Sequence, residues 1–297
     1  LSPQLHRWVY GFHQHAFLQV MRGESYRPMV FMAHGLAVAI FTMLALVSAA
    51  ALFKAKVRVL RFSTAWIASY LWVILILSKS LAALLYSMVA EPLVEFESPR
   101  VKALAAAALS GLLFSYPLLR ANYWIPVEAL QSWAEDDYGS ERARSMTFRF
   151  ENEGRLLDRA LERPWFGWGS YCRACVYERG SGERSAISIR DGAWIIRLGD
   201  HGIVGFVGAV GLLLFPLIAL VRRLKYVPRV SDRRLLAGLG LMVGFSAFDL
   251  IPNGDFTRLA FVLAGALWGC LSGVLQEAAK AMREKRARVM VAREARW

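Results

Sequence analysis

The sequence predicts an all-α, polytopic integral membrane helix bundle with a large, partly helical extracytoplasmic loop. Three observations lead there. First, the chain is 56% hydrophobic with a mean hydropathy of +0.37, yet carries a formal net charge of +13. That combination describes apolar spans divided by charged loops rather than a soluble basic domain, and it argues against nucleic acid as the partner. Second, apolar runs at 29–52, 101–118, 203–221, 235–251 and 258–275 each approach the length that crosses a bilayer. Third, residues 119–202 form a long polar stretch with twelve Arg, thirteen acids and no Lys.

The remaining apolar stretch, 62–96, is broken by Lys79. Charge decides how often it crosses. Short loops rich in Lys and Arg stay in the cytoplasm. Loop 53–61 holds Lys54, Lys56, Arg58 and Arg61. Loop 222–234 holds Arg222, Arg223, Lys225, Arg229, Arg233 and Arg234, and the tail from 276 is equally basic. With both loops inside, an odd number of crossings separates 53–61 from 119–202. Splitting 62–96 at Lys79 into two short spans satisfies that parity, and one span does not. Spans this short need a thinned bilayer or a hairpin shielded by protein.

The predicted organisation is therefore an extracytoplasmic segment 1–28, about four membrane helices over 29–118, and a periplasmic loop 119–202. Three more membrane helices follow over 203–275, and then a basic cytoplasmic tail 276–297. No signal peptide opens the chain. The polar, aromatic start at Leu1 leads us to expect further spans ahead of it.

The long loop is the candidate functional region. Arg is always charged and offers a planar fork that binds phosphate or carboxylate through two hydrogen bonds. An Arg-only loop beside a bilayer suits a lipid-linked phosphate, and also suits ordinary surface ion pairs. Residues 151–163 read as a short helix capped by Asn152 and stopped by Pro164. Arg155, Arg159 and Arg163 then share a face, with Glu151 four residues before Arg155. That face is either a row of forks for a diphosphate or a solvated set of ion pairs.

Trp165-Phe166-Gly167-Trp168-Gly169 follows as a tight turn. Its tryptophans either stack on sugar rings or form an interfacial aromatic belt. Asp191-Gly192-Ala193-Trp194 precedes a helix expected to begin near Ala193, eleven residues ahead of Gly202-x-x-Gly205. Asp191 there either caps the helix or accepts a proton from a hydroxyl. His201 lies at the same boundary.

Cys172 and Cys175 form a lone C-x-x-C. With no second ligand pair, zinc and thioredoxin-like chemistry are poor readings. A local disulfide suits an oxidising compartment. Cys270, inside an apolar run, reads as packing. His6, His13 and His15 at the N-terminus do not make a convincing metal set.

Taken in order, these motifs resemble the O-antigen ligase and O-antigen polymerase superfamily, in particular its O-antigen ligase-like bacterial members. The residues that carry the resemblance are Arg149-Phe150-Glu151-Asn152-Glu153, Arg163-Pro164-Trp165-Phe166-Gly167-Trp168-Gly169, Asp191-Gly192-Ala193-Trp194 and Gly202-x-x-Gly205. Tyr26-Arg27-Pro28, His34 and Ser78-Lys79-Ser80 are similar to upstream landmarks.

The resemblance implies a multi-pass glycosyltransferase of the bacterial inner membrane with its active site facing the periplasm. It implies a donor glycan on undecaprenyl diphosphate, an acceptor glycan or glycolipid, contact with membrane lipids and other polysaccharide-assembly proteins, and no cofactor or metal. It also implies arginines on the diphosphate and a loop histidine as base.

This chain departs from the ligase pattern in carrying Asp191-Gly192 where ligases have His-Asn. It also has Ser78-Lys79-Ser80 where many have Ser-Arg-Gly. The expected site is Asp191 and His201 as catalytic groups, and Arg149, Arg155, Lys79 and Arg27 on the diphosphate. Trp165, Trp168 and Trp194 are expected on the glycan. The competing expectation is a non-catalytic flippase or structural subunit of a polysaccharide export system. Against it, the spans hold few charges and show no inverted repeat.

Overall fold

The computed structural model describes the chain except residues 1–2, 13–20, 23–24, 31, 33, 60–61, 97, 130, 133–139, 178–187, 255–256 and 295–297. His13 and His15 lie outside the described residues. Among the described residues the architecture is all-helical apart from a two-residue pairing of Met21–Arg22 (β1) with Ser25–Tyr26 (β2) and an isolated bridge between Val59 and Phe62. The principal helices are α1 (Pro3–Tyr10), α2 (Gly35–Lys54), α3 (Thr64–Leu77), α4 (Leu81–Glu95), α5 (Pro99–Ala121), α6 (Ser140–Leu161), α7 (Ala193–Arg223), α8 (Val230–Asp249) and α9 (Thr257–Glu294).

Four segments are long and apolar enough to cross a bilayer: Gly35–Lys54, Pro99–Ala121, Ala193–Tyr226 and Arg258–Lys285. On that length and composition the chain is a membrane protein. Its residues group into two compact units. One comprises Leu1–Ala107, Pro216–Phe245 and Leu263–Trp297; the other comprises Ala108–Phe215 and Ser246–Val262.

In the first unit α2 is apolar all round and buried along most of its length, as a central helix must be. Its N-terminus is capped by His34, whose Nδ1 accepts the Leu36 amide at 3.1 Å. The sequence pattern placed His34 inside the span; it stands at the entrance instead. Helices α3 and α4 both pack on α2. The apolar stretch 62–96 is two helices separated by Ser78, Lys79 and Ser80. Ser78 is buried and its hydroxyl donates to the Leu75 carbonyl, while Lys79 takes a left-handed φ of 53°. These two features turn the chain from α3 into α4. At the other end of α4, Lys54 pairs with Glu95 at 2.6 Å. The Lys102 ammonium donates to the Val94 carbonyl at 2.5 Å. Gly244 of α8 meets the backbone of Ala106 with no room for a β-carbon, a close approach of small residues typical of packed membrane helices.

In the second unit, α6 extends a full eleven residues ahead of the predicted 151 start. Asn152 is not a cap. It is buried within the helix, where its amide nitrogen donates to the Phe148 carbonyl at 2.8 Å. Its side-chain oxygen accepts the Ile189 amide at 3.2 Å. The side chain thus fastens the segment leading to Asp191 onto α6. Leu156, Leu157 and Ala160 form the buried stripe.

Candidate functional site

The site grows out of a break in α7. Gly202 has φ 67° and ψ −168°, so the helix is two helical halves joined at a kink. An unbroken helix would bond the Ile203 amide to the Gly199 carbonyl and the Val204 amide to the Asp200 carbonyl. Here the turn after α6 takes both places. Ile203 N–H donates to Pro164 O at 2.7 Å, and Val204 N–H donates to Trp165 O at 3.2 Å. The released Gly199 and Asp200 carbonyls accept Trp168 N–H at 2.8 Å and Gly169 N–H at 2.9 Å. Four backbone groups that a kink would leave unsatisfied are paired by one loop.

The glycines are required by this exchange. A β-carbon on Gly202 would lie 2.4 Å from the Trp165 carbonyl, and one on Gly167 would lie 2.6 Å from the Gly199 oxygen. Both also have positive φ. Beyond the turn, Cys172 and Cys175 are joined as a disulfide with Cα atoms 5.0 Å apart. Between them Ala174 packs against Gly199, where a β-carbon would approach its methyl to 2.9 Å. Cys270 is exposed rather than packed inside.

The second unit holds three charged groupings. Asp191 pairs with Arg149, Oδ2 to Nε 3.5 Å, and both side chains are about half exposed. Asp191 does not cap α7: its carboxylate pairs with Arg149 and accepts no backbone amide of the helix, and the Ala193 amide is taken by the Leu250 and Asn253 carbonyls. Arg190 pairs with Asp200 at 2.6 Å, with only 19% and 11% of their side chains exposed. Sequence reasoning missed this pair, because its partners are ten residues apart and joined only by the fold.

The third grouping is buried. Glu153 of α6 accepts the Tyr116 hydroxyl at 3.2 Å and faces Arg120 Nε at 3.6 Å. Arg120 also donates to the Phe150 carbonyl at 3.0 Å and lies over the Phe150 ring. Burial pushes the Glu153 carboxyl above the ordinary carboxylate range, and the Tyr116 and Arg120 interactions pull it part of the way back. The Trp194 indole N–H favours the same carboxylate while lying outside hydrogen-bond geometry.

The remaining expected site residues separate by environment. Arg155 is exposed and pairs with Glu151 at 3.8 Å, one turn away. Arg159 and Arg163, from the same face, lie against the Trp168 ring at 3.4 and 4.1 Å from its centroid. Trp168 also donates to the Arg159 carbonyl at 2.7 Å. Two of the three forks are therefore engaged by the turn itself. Trp165 is exposed, with Phe166 and Tyr171 exposed nearby in sequence.

Trp194 is fully buried and stands edge-on to Tyr116 at 5.0 Å, so it offers no face to a glycan and serves as packing. His201 is exposed at the last residue before the kink, and Gly205 leaves the space its β-carbon occupies. Lys79 and Arg27 belong to the first unit. Lys79 is exposed at the α3–α4 turn. Arg27 is buried, its stem lying over Gly35, where a β-carbon would clash at 2.7 Å.

Comparison with known proteins finds no matching family, no matching curated protein and no matching solved structure.

Proposed function

We propose that the chain is a membrane glycosyltransferase that transfers or polymerises undecaprenyl-diphosphate-linked glycan on the periplasmic face of the bacterial inner membrane. The observation that carries this reading is the half-exposed Arg149–Asp191 pair, 3.5 Å apart, beside a kinked helix that begins an apolar run. A carboxylate held by a guanidinium, and still open to solvent, can do two things at once. Asp191 takes the proton of an acceptor hydroxyl as that oxygen attacks the anomeric carbon. The bond from that carbon to the diphosphate breaks, and Arg149 and Arg155 meet the charge developing on the leaving group.

Trp165 is the aromatic face available for the glycan; Trp168 is covered by arginines. The order of motifs in the loop, which resembles the O-antigen ligase and polymerase superfamily, supports the same chemistry. Position 191 carries Asp in place of the ligase histidine, which makes Asp191 the residue to test first.

The test uses the whole protein in membranes supplied with an undecaprenyl-diphosphate oligosaccharide, with glycan length and transfer followed on gels at matched protein levels. Asp191→Asn is expected to lower transfer by about 100-fold or more, the usual loss of a general base. Arg155→Ala, whose exposed side chain pairs with Glu151 on the helix surface, is expected to lower transfer without affecting folding. Full transfer by both variants overturns the site. Absence of transfer by the unaltered protein favours a flippase or an export subunit.

A further inference from the structure

The loop closed by the Cys172–Cys175 disulfide touches both segments that carry the charged pairs of the second unit. On one side Ala174, 3% exposed, lies against Gly199, where a β-carbon would approach the Ala174 methyl to 2.9 Å. Gly199 and Asp200 supply the carbonyls that accept the Trp168 and Gly169 amides, and the Asp200 side chain pairs with Arg190. On the other side the Val176 amide donates to the Ser188 hydroxyl at 2.9 Å, and Ser188 is buried three residues before Asp191. The loop thus wedges between the break in α7 and the segment that leads to Asp191. Inside it, the Cys172 carbonyl accepts the Cys175 amide at 3.0 Å and the Tyr177 hydroxyl at 2.8 Å.

The two sulfurs differ in access. Cys175 is 1% exposed, whereas Cys172 is part-exposed between Tyr171 and Arg173, both of them exposed. Tyr171 and Cys172 also hold left-handed backbone, with φ of 64° and 59°, a conformation uncommon for residues other than glycine. A crosslink that holds such residues at the surface belongs to the labile class, while one closed inside a core resists exchange.

We propose that Cys172–Cys175 is a thiol–disulfide exchange site for a dithiol reductant, and that its state decides whether the Asp191 segment stays clamped to α7. A thiolate of the dithiol attacks the Cys172 Sγ, and the bond to the Cys175 Sγ breaks. Cys175 leaves as a thiolate and takes up a proton. The second thiol of the partner then attacks the mixed disulfide and releases Cys172, so two electrons and two protons pass to this chain and the partner leaves as a disulfide. Once open, the loop no longer holds Ala174 against Gly199 or Val176 against Ser188. This chain is the substrate of the exchange, and the inference does not depend on the glycosyltransferase reading.

The test uses the purified full chain in detergent, with Cys270 replaced by Ser, treated with dithiothreitol under native conditions. Maleimide labelling followed by mass spectrometry is expected to add two labels after reduction and none before. Hydrogen exchange at the amides of Trp168, Gly169, Val176, Ile189, Ile203 and Val204 is expected to quicken at least about tenfold on reduction, while α2 stays protected. Oxidised dithiothreitol is expected to restore protection. The Cys172→Ser/Cys175→Ser double variant is expected to exchange like the reduced chain with or without dithiothreitol; if it does not fold, the reversal in the unaltered loop carries the test. Ser188→Ala is expected to quicken exchange at Val176 and Ile189 and to leave Ile203 and Val204 unchanged. A disulfide that accepts labels only after denaturation overturns the proposal. Reduction that leaves those amides protected, or that exposes α2 equally, overturns it as well.

Discussion

Glu153 is the residue where burial and charge conflict most openly. Its carboxyl is 13% exposed, and its partner Arg120 is 10% exposed. Because burial holds its pKa above the ordinary range, the folded state binds this proton more tightly than the unfolded chain does. The stabilisation is therefore complete at pH values below the ordinary carboxylate pKa. It is lost as pH rises through that value toward the raised one. Glu153→Gln cannot ionise and keeps an acceptor for Tyr116 and Arg120. Its thermal midpoint in detergent is expected to stay flat over the window in which the unaltered protein declines; parallel profiles would sink the assignment. Glu153→Leu leaves Arg120 buried without its acid. The expected loss is about 3–5 kcal/mol where Glu153 is ionised, read as a lower thermal midpoint, and is smaller at acid pH. Glu153 stands three and four residues before Leu156 and Leu157 and so shares the buried face of α6, whereas Glu151 lies on its exposed side.

At the scale of elements, the exchange of hydrogen bonds between α7 and the Pro164–Gly169 turn explains why two glycine motifs nearly forty residues apart belong together. Gly202→Ala places a methyl against the Trp165 carbonyl at a positive φ. The strain and the broken pairing are expected to cost roughly 2–4 kcal/mol. Gly208→Ala in the same helix, where a β-carbon meets open space, is the control and is expected to leave the thermal midpoint unchanged or slightly raised. If the two variants unfold alike, the turn does not clamp the kink.

Short-range rules read much of this region correctly. The start of α7 at Ala193, the Gly-Trp-Gly turn and the Glu151–Arg155 pair all follow from spacing. What spacing could not supply was the partner across the fold. Asn152 has the chemistry of a cap, but its acceptor serves Ile189, thirty-seven residues away. Arg159 and Arg163 share the face predicted for them, but Trp168 occupies them.

For the whole molecule, the deciding question is orientation, and it rests on parity. The distribution of Lys and Arg leads us to expect loops 53–61 and 222–234 inside. The loop 119–202 then lies outside only if the chain crosses an odd number of times between positions 61 and 119. The stretch 62–96 forms two helices of 14 and 15 residues, each about 21–23 Å long at helical rise and shorter than a ~30 Å hydrocarbon core. Two short crossings and a shallow hairpin that returns to its own side both leave Phe166 outside and differ in the exposure of Lys79. With Cys270 replaced by Ser, single cysteines at Phe166, Lys79 and Lys225 distinguish them. A membrane-impermeant maleimide applied to intact spheroplasts is expected to label Phe166→Cys and Lys79→Cys, and to reach Lys225→Cys only after permeabilisation. All three positions are exposed, so burial does not explain a missing label. Labelling of Lys225→Cys with Phe166→Cys protected would invert the chain and place Asp191 and Arg149 in the cytoplasm, where a periplasmic transferase has no use for them. Labelling of Phe166→Cys with Lys79→Cys protected would leave the loop outside but remove the outward turn between α3 and α4. α5 would then be the single crossing between 61 and 119, and the parity still holds.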